Sequence, residues 1–228
     1  MNRISGPYIG GITRLAPEGQ STGIFKQAAR SPLQLTREGF SGDVQADRRV
    51  HGGPEKAVHH YAAENYAPLA VAFPAAAGTL VPGGLGENVS SSGWTESNVC
   101  IGDVFRLGRA LVQVSQPRSP CWKINNKFGE PGMSRFIAEQ GLTGWYYRVV
   151  EEGEVAPGDG FELLERPAPD VSLARLWRVG LTHRPAIDEL TELIATPGLN
   201  PGWVGKLAER RGWLIENSRA DGPGTPSA

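Results

Sequence analysis

Cysteine is scarce in this chain, which has only Cys100 and Cys121 among its 228 residues. Two cysteines exclude a framework of several disulfides, because one bridge is the most that they can form. They also argue against an iron–sulfur cluster held by this chain, because such clusters need about four thiolate or imidazole ligands. Electrons for any redox reaction would therefore have to come from another protein.

An excess of one charge is also missing, since 23 Lys and Arg residues face 24 Asp and Glu residues and the formal net charge is -1. This balance argues against a nucleic-acid binder that works through bulk charge. The first residues, MNRISGPYIGG, lack the apolar segment of a signal peptide. The most apolar stretch, residues 68–84, is interrupted by prolines and is too short to span a bilayer. We therefore expect a soluble, cytoplasmic protein that binds neither nucleic acid nor membranes.

Glycine and proline are abundant, with 30 and 18 residues, and up to about residue 165 they separate short runs of β character. These runs are YIGGITRL, GIFK, LQLT, AVHHY, DVFRL, ALVQVSQ, GWYYRVV and GFELLE. Many short strands between Gly/Pro turns are typical of an antiparallel barrel or sandwich. We predict a hairpin over residues 104–116 with its turn at Gly108 and Arg109. Helical spacing of apolar residues predicts helices near residues 62–73 and 133–140.

Beyond the linker ERPAPD, residues 165–170, the pattern changes to three short helices. Asp170 is positioned to cap the first helix, which is expected to end near Gly180. Pro185 suits the first turn of the second helix. The third is expected to start at Asn200-Pro201 and to end near Gly212. The predicted organisation is a mainly β domain over residues 1–166, a three-helix unit over 170–215 and a disordered tail over 218–228.

Cys121 stands in the stretch SQPRSPCWKIN, residues 115–125. Most free cysteines are buried small apolar residues, and we interpret Cys100 as such a residue in a core strand. Cys121 differs, because Arg118 and Lys123 flank it and would stabilise its thiolate. Two prolines stiffen the same loop, which makes it suitable for presenting a thiolate.

A second group of polar residues lies in ADRRVHGGPEKAVHHY, residues 46–61. A structural interpretation is a Gly-Gly-Pro turn with surface arginines. A functional one is an anion site, because such a turn exposes N–H groups and arginines clamp phosphate oxygens. The candidates are Arg48, Arg49, His51, Lys56, His59 and His60. Neighbouring positions on a strand point to opposite faces, so His59 and His60 cannot serve one pocket. A zinc site would need His51, one of these two and Cys121 to converge.

Two further segments carry polar candidates. GGLGENV, residues 83–89, has neither the glycine spacing of a dinucleotide fingerprint nor the Gly-Lys-Ser/Thr of a P-loop. Its Glu87 and Asn88 could hydrogen-bond a heterocycle. GWYYRVVEEG, residues 144–153, reads as a barrel strand with core aromatics. Arg148 in its middle is costly to bury alone, so it should pair with a carboxylate or face an anionic ligand.

Taken in order, these segments resemble the MOSC domain, which is named for the C-terminal part of molybdenum cofactor sulfurase. The combination of RVHGG with SQPRSPC is specific, whereas either motif alone would be weak. The chain most resembles the bacterial branch that reduces N-hydroxylated purines such as 6-N-hydroxylaminopurine and carries a C-terminal three-helix (3-alpha) unit. The resemblance covers nearly the whole chain. It implies a MOSC-type β-barrel and a molybdenum cofactor, and it carries a family-level association with pyridoxal phosphate binding.

The resemblance also implies roles for particular residues. In the family the cysteine of the SPC motif ligates molybdenum, which assigns Cys121 as the metal ligand. A thiolate is a soft ligand suited to such a metal beside the dithiolene of the pterin. His51 is our choice for handling protons. The residues expected to bind cofactor or substrate are Arg48, Arg49, Lys56, His60, Glu87, Asn88, Arg118, Ser119, Asn125 and Arg148.

The implied activity is the reduction of a small N-hydroxylated substrate to an amine. Its electrons would come from a separate flavin or iron–sulfur protein. The sequence is compatible with a homodimer and does not decide the oligomeric state. Two alternatives remain. One is a sulfur carrier or cofactor-sulfuration module with a persulfide on Cys121. The other is a hydrolase in which Cys121 acts with His51, although no oxyanion loop or orienting group is evident for it.

Overall fold

The structure is a computed structural model that describes residues 2–17, 19–47 and 52–220. Its strands are β1 (Asn2–Arg3), β2 (Tyr8–Ile9), β3 (Thr13–Leu15), β4 (Gln20–Thr22), β5 (Gln27–Ala28), β6 (Leu33–Thr36), β7 (Gly39–Phe40), β8 (Val58–Ala62), β9 (Val89–Ser91), β10 (Val104–Leu107), β11 (Ala110–Pro117), β12 (Trp145–Glu151), β13 (Gly153–Val155) and β14 (Gly160–Glu165). Its α-helices are α1 (Tyr66–Ala72), α2 (Lys123–Phe128), α3 (Met133–Gln140), α4 (Leu173–Leu181), α5 (Ile187–Ile194) and α6 (Pro201–Ala220). Short 3₁₀ turns lie at Pro54–Lys56, Ala63–Asn65 and Pro74–Thr79.

Seven strands form one curved sheet in the order β1-β14-β10-β11-β12-β8-β9. Its neighbours are antiparallel except β8 and β9, which run parallel. The two ends of the sheet meet where Ser5 exchanges backbone hydrogen bonds with Ser90 of β9, at 2.7 and 2.9 Å. The sheet is thus a nearly closed barrel, which leaves few edge groups unpaired. This architecture confirms the predicted mainly β, barrel-type fold.

The alternation of side chains along the strands fills the barrel with apolar groups. In β12, Trp145, Tyr147 and Val149 share one face and are buried. Phe161 of β14 stacks on Phe105 of β10, with ring centroids 4.4 Å apart. Each large aromatic ring buries about 150–250 Å², so these rings contribute much of the apolar core.

The predicted hairpin is confirmed, because β10 and β11 pair from Val104↔Gln113 to Leu107↔Ala110 around Gly108 and Arg109. The predicted strand over residues 23–26 is wrong, since this segment connects β4 to β5. One of its carbonyl groups bonds a side chain instead of a neighbouring strand: Lys127 Nζ donates to the Ile24 oxygen at 3.0 Å.

The predicted helix over residues 133–140 is confirmed as α3. The one expected near residues 62–73 is shorter, because β8 continues to Ala62 and a 3₁₀ turn precedes α1. The three C-terminal helices are also present, but their first and last residues differ from the predicted ones. The cap of α4 is Ser172 and not Asp170, since its hydroxyl accepts from Arg175 N at 3.1 Å. Helix α5 begins two residues after Pro185.

Helix α6 does not end near Gly212 but continues to Ala220. A glycine inside a helix costs only about 1 kcal/mol relative to alanine, which is too little to stop a helix by itself. Residues 218–220 of the predicted tail are therefore helical, and residues 221–228 lie outside the described part of the chain. In the part that is described, no helix is both long and apolar enough to cross a membrane.

The C-terminal helices share one apolar cluster with the barrel. Leu173 and Leu176 of α4 and Leu193 of α5 are fully buried and belong to the same cluster as the barrel interior. At the contact the two backbones come so close that a Cβ on Gly198 would lie 2.7 Å from the Cα of Gly102. Both glycines have positive φ, of 84° and 81°, which other residues rarely adopt. The three helices thus pack directly against the barrel wall.

Candidate functional site

A pocket opens beside the barrel where β8, β11 and β12 meet the segments that follow β4 and precede α2. It contains about 600 Å³ of empty space, part of it open to solvent. The chemically active groups on its walls are Lys26, Lys56, His59, Asn88, Arg118 and Cys121. Lys123, Tyr146, Thr22 and Gln45 are further polar residues of the lining. The pocket therefore combines one thiol with several cationic side chains.

Cys121 is half-buried and lies on the pocket wall, in the loop between β11 and α2. The loop leaves β11 at Pro117, and the carbonyl of Cys121 accepts the N–H of Ile124 at 3.0 Å as α2 begins. Cys100, by contrast, is buried away from the pocket, and its Sγ contacts the carbonyl of Pro169 at 3.3 Å. Only the predicted cysteine is thus placed to bind a ligand in the pocket.

Arg118 supplies a buried positive charge next to this thiol. Its backbone N–H donates to the Gly144 carbonyl at 3.0 Å, which fixes the start of the loop on β12. Its Nη2 lies 3.5 Å from the Leu85 carbonyl, whereas its Nη1 is buried without a hydrogen-bond partner in the described part of the chain. A buried guanidinium with an unmet donor is suited to an anionic group of a ligand, since leaving it unmet is costly.

Lys26 and Asp43 form a buried ion pair in the pocket wall, with Nζ and Oδ2 2.5 Å apart. The carboxylate also accepts from the Gly10 N–H at 3.0 Å and from Asn88 Nδ2 at 2.8 Å. Burial lowers the pKa of Lys26, and the charge of Asp43 partly opposes that shift. Asn88 extends the network, because its Oδ1 accepts the backbone N–H of His59 at 3.0 Å. The predicted candidate Asn88 therefore orders the pocket wall and also lines it.

His59 presents its ring to the pocket. It pairs with Tyr146 across β8 and β12, and the two ring centroids are 5.3 Å apart. Burial and the nearby charge of Arg118 lower the pKa of His59 well below its usual range, so the ring is neutral at pH 7. Its Nε2 is buried and finds no partner among the described residues. A neutral imidazole with a free nitrogen can hydrogen-bond an uncharged ligand group.

The structure does not bring His60 to the pocket. As expected from alternation, His60 points to the other face of β8, into the barrel interior, where it stacks on Trp145 at 4.3 Å. Its Nε2 lies 3.0 Å from Ser91 Oγ and its Nδ1 lies 3.1 Å from Tyr147 OH. Burial lowers its pKa to about 3. Both ring nitrogens are thus occupied in the core, which leaves none for a cofactor.

Glu87 is also fully buried and lies behind the pocket wall. Its carboxylate accepts from Gly83 N at 2.6 Å, from Leu85 N at 3.0 Å and from the Tyr66 hydroxyl. Burial raises its pKa, and these hydrogen bonds oppose the shift. Glu87 therefore closes the glycine loop and holds the Leu85 carbonyl next to Arg118, which is a supporting role.

Three further candidates lie outside the pocket. Asn125 Oδ1 accepts the Ser134 N–H at 2.8 Å and so orders the start of α3. Ser119 is exposed and faces a neighbouring cavity against α6. Arg148 shares a face with Tyr146 but lies two residues along β12, about 7 Å further from the pocket, and pairs with Glu55. The carboxylate partner considered for Arg148 is thus present.

Arg48, Arg49 and His51 lie outside the described residues. They directly precede Gly52, which begins the segment that carries Lys56 to the pocket. Among residues 2–17, 19–47 and 52–220, no three His, Cys, Asp or Glu side chains gather into a metal site. The convergence of His51 with Cys121 therefore stays a prediction.

Comparisons with known proteins agree with this geometry. The sequence profile of the MOSC domain matches residues 47–162, which include the glycine turn, the glycine loop and Cys121. YflK of Bacillus subtilis (strain 168) is 42% identical over 194 residues, which are 85% of this chain and 86% of YflK. YiiM of Escherichia coli (strain K12) is 40% identical over 86% of this chain and 87% of its own length.

The chain belongs to the MOSC domain family.

The crystal structure of Escherichia coli YiiM covers 93% of this MOSC protein and 94% of YiiM with a TM-score of 0.76 and 33% identity. A longer protein of Gibberella moniliformis (strain M3125 / FGSC 7600), named reductase, is 35% identical over 178 residues, which are 78% of this chain and 32% of that protein. These likenesses confirm the resemblance that the motifs predict.

Sequence reasoning missed two pocket residues of this MOSC protein, Lys26 and Tyr146, and did not identify His59 as the histidine of the pocket. Lys26 lies in a segment that was expected to be a strand, and Tyr146 was expected in the core. His59 was a candidate, but alternation alone did not decide which histidine faces the pocket. The opposed pair of His59 and Tyr146 in β8 and β12 becomes visible only when the register between these distant strands is known.

Proposed function

We propose that this MOSC protein is a molybdenum-cofactor-dependent oxidoreductase that reduces N-hydroxylated compounds, such as 6-N-hydroxylaminopurine, to amines. The net reaction takes an R–NHOH group, two electrons and two protons to R–NH₂ and water. The observation that carries the proposal is the presence of Cys121 and the buried Arg118 in one pocket. One relative, the protein of Gibberella moniliformis, is named a reductase, which supports an oxidoreductase.

The donor set of the pocket fits the cofactor. Cys121 offers a soft thiolate ligand, and Arg118, Lys26 and Lys56 offer positive charge to its phosphate. The unmet Nη1 of Arg118 in the described part of the chain is suited to such an anion. When bound, the cofactor would supply the two-electron redox chemistry, and the protein supplies binding and orientation. Arg48 and Arg49 remain predicted to bind the phosphate of the cofactor.

The side chains of the pocket would position the substrate and its protons. Neutral His59 can hydrogen-bond an uncharged base through Nε2, and Tyr146 offers an aromatic surface beside it. Protons would come from His51, our choice from the sequence, and Lys26 on the pocket wall would be a second donor. Because two cysteines cannot hold a cluster, a separate flavin or iron–sulfur protein would deliver the electrons.

The proposal is tested by measuring molybdenum per chain after expression in hosts with and without molybdenum cofactor synthesis. We expect metal only in the competent host and its loss in Cys121→Ala, because the variant lacks the thiolate ligand. Cys100→Ala is the matched control and should retain the metal, since Cys100 does not line the pocket. Turnover of 6-N-hydroxylaminopurine with a reduced dye as donor should follow the metal content.

Four outcomes would contradict the proposal. Wild-type protein without molybdenum from a competent host, or a Cys121→Ala variant that retains it, would exclude the cofactor assignment. A persulfide on Cys121 without turnover would favour the sulfur-carrier alternative. An acyl-enzyme detected by mass spectrometry would favour the hydrolase.

A further inference from the structure

A junction of polar groups connects the C-terminal helices to the segment Gly52–Lys56. Its centre is the carboxylate of Glu55, which accepts from Arg148 Nε at 3.0 Å and from Arg148 Nη2 at 2.5 Å. Arg148 Nη1 also donates to the Gly198 carbonyl at 2.8 Å, in the loop between α5 and α6. Asn200 Nδ2 lies 3.4 Å from Glu55 Oε2. One ion pair thus joins the barrel, the 3₁₀ turn and the helical unit.

The backbone of the barrel takes part in the same junction at a β-bulge. The register between β11 and β12 shifts between Val114 and Gln116, which releases Ser115 from the ladder. Its Oγ lies 2.6 Å from the Glu55 carbonyl oxygen, and its own carbonyl accepts the Asn200 N–H at 2.9 Å. Asn200 Oδ1 accepts the Gly202 N–H at 2.7 Å and so caps α6. The start of α6 is therefore locked to β11 and Glu55 together.

This junction borders the pocket. The cavity beside it is lined on one side by Glu55 and Lys56 and on the other by Asn200 and Lys206. Lys56 lines the pocket of Cys121 as well, and Ser119 of the cysteine loop faces the junction cavity. The segment Gly52–Lys56 and the cysteine loop, which are both predicted to bind the cofactor, thus both reach the beginning of α6.

We propose that the C-terminal helices act as a brace, in which Glu55, Arg148 and Asn200 hold the segment Gly52–Lys56 at the edge of the pocket. The inference rests on the proposed function for its link to the cofactor. Glu55 and Arg148 are positioning residues, because Glu55 belongs to the segment, Arg148 contacts Glu55, and neither lines the pocket. The brace explains why Arg148 occupies a strand position without entering the pocket.

The test uses the full chain with two conservative variants. Glu55→Gln keeps the shape of the side chain and removes its charge, and Asn200→Asp keeps the helix cap while placing a carboxylate opposite Glu55. Glu192→Ala is the matched control, because it breaks the Arg175–Glu192 ion pair inside the helical unit, where the oxygen and nitrogen are 2.6 Å apart. Amide hydrogen exchange over residues 52–56 and molybdenum per chain are measured together.

We expect amide hydrogens of residues 52–56 to exchange about threefold faster in both junction variants. We also expect about threefold less molybdenum per chain, because a partly exposed ion pair contributes little free energy. The control should change neither quantity. Unchanged exchange in the junction variants, or equal acceleration in Glu192→Ala, would overturn the brace. Faster exchange with full molybdenum content would overturn its link to the cofactor. If wild-type protein holds no molybdenum, the proposed function fails, and the exchange measurement alone decides on the brace.

Discussion

At the scale of single residues, burial decides whether a polar side chain supports the fold or faces a ligand. His59 and His60 are neighbours in the chain, yet His59 lines the pocket, with a buried Nε2 that has no partner among the described residues, and His60 has both nitrogens occupied in the core. Glu87 and Asn88 differ in the same way, since only Asn88 lines the pocket. The residue type does not reveal the role, because the role depends on which face of an element meets the pocket.

Glu87→Gln should lower the free energy of unfolding by about 1–3 kcal/mol, because an amide NH₂ would replace one oxygen that accepts N–H and O–H donors. Gly83 N and Leu85 N bond to different oxygens of the carboxylate, so neither amide orientation satisfies both. Urea denaturation at neutral pH measures the loss. Glu139→Gln, at an exposed helix position, serves as the control and should stay within about 0.5 kcal/mol. Equal stability of the two variants would contradict the supporting role of Glu87.

At the scale of elements, α6 stabilises the end of α4. Arg210 donates to the carbonyl of Gly180 in the last turn of α4 and to that of His183 just beyond the helix, at 2.9 Å each. It also donates to the carbonyl of Thr182. The C-terminal carbonyls of a helix need such partners, and a cation there also offsets the helix dipole.

Arg210→Met should lower the free energy of unfolding by about 1–3 kcal/mol while keeping the aliphatic stem of the side chain. The control is Arg211→Met in the same turn of α6, since Arg211 makes a 3.3 Å contact with Thr191 Oγ1 on the protein surface. Thermal and urea unfolding of the two variants measure the difference. If Arg211→Met lowers the free energy of unfolding as much as Arg210→Met does, Arg210 does not stabilise the protein by capping α4.

At the scale of the whole molecule, buried histidine makes stability depend on pH. The pKa of His60 is about 3 in the fold and about 6.5 in an unfolded chain, so the unfolded state binds the proton first as the pH falls. The free energy of unfolding should therefore fall below pH 6.5, by about 2 kcal/mol from this residue at pH 5. His59 shifts in the same direction. Glu87 and Glu96, whose pKa values are raised by burial, act in the opposite direction.

Comparing wild type with His60→Phe isolates this contribution. The variant should be less stable at pH 7.5, because Ser91 Oγ and Tyr147 OH lose their partner. The difference in the free energy of unfolding between wild type and His60→Phe should become about 2 kcal/mol smaller at pH 5, because phenylalanine has no proton to bind. Urea denaturation from pH 7.5 to 5 gives both curves. Parallel curves would show that His60 does not titrate with a lowered pKa.

The sequence by itself determined the local features: the hairpin at Gly108, helix α3, the three C-terminal helices and the loop that carries Cys121. Each depends on spacing, turn residues or flanking charge within a few positions. The family could also be read from motifs that keep their order along the chain.

Only the tertiary structure decided which polar side chains share the pocket. His59 and Tyr146, Lys26 and Asp43, and the junction at Glu55 join residues that are far apart in the chain. Their meeting depends on strand register and barrel closure. For His59 and Tyr146, a shift of one residue would turn each side chain to the opposite face of its strand. Local sequence patterns carry no information about such long-range pairing.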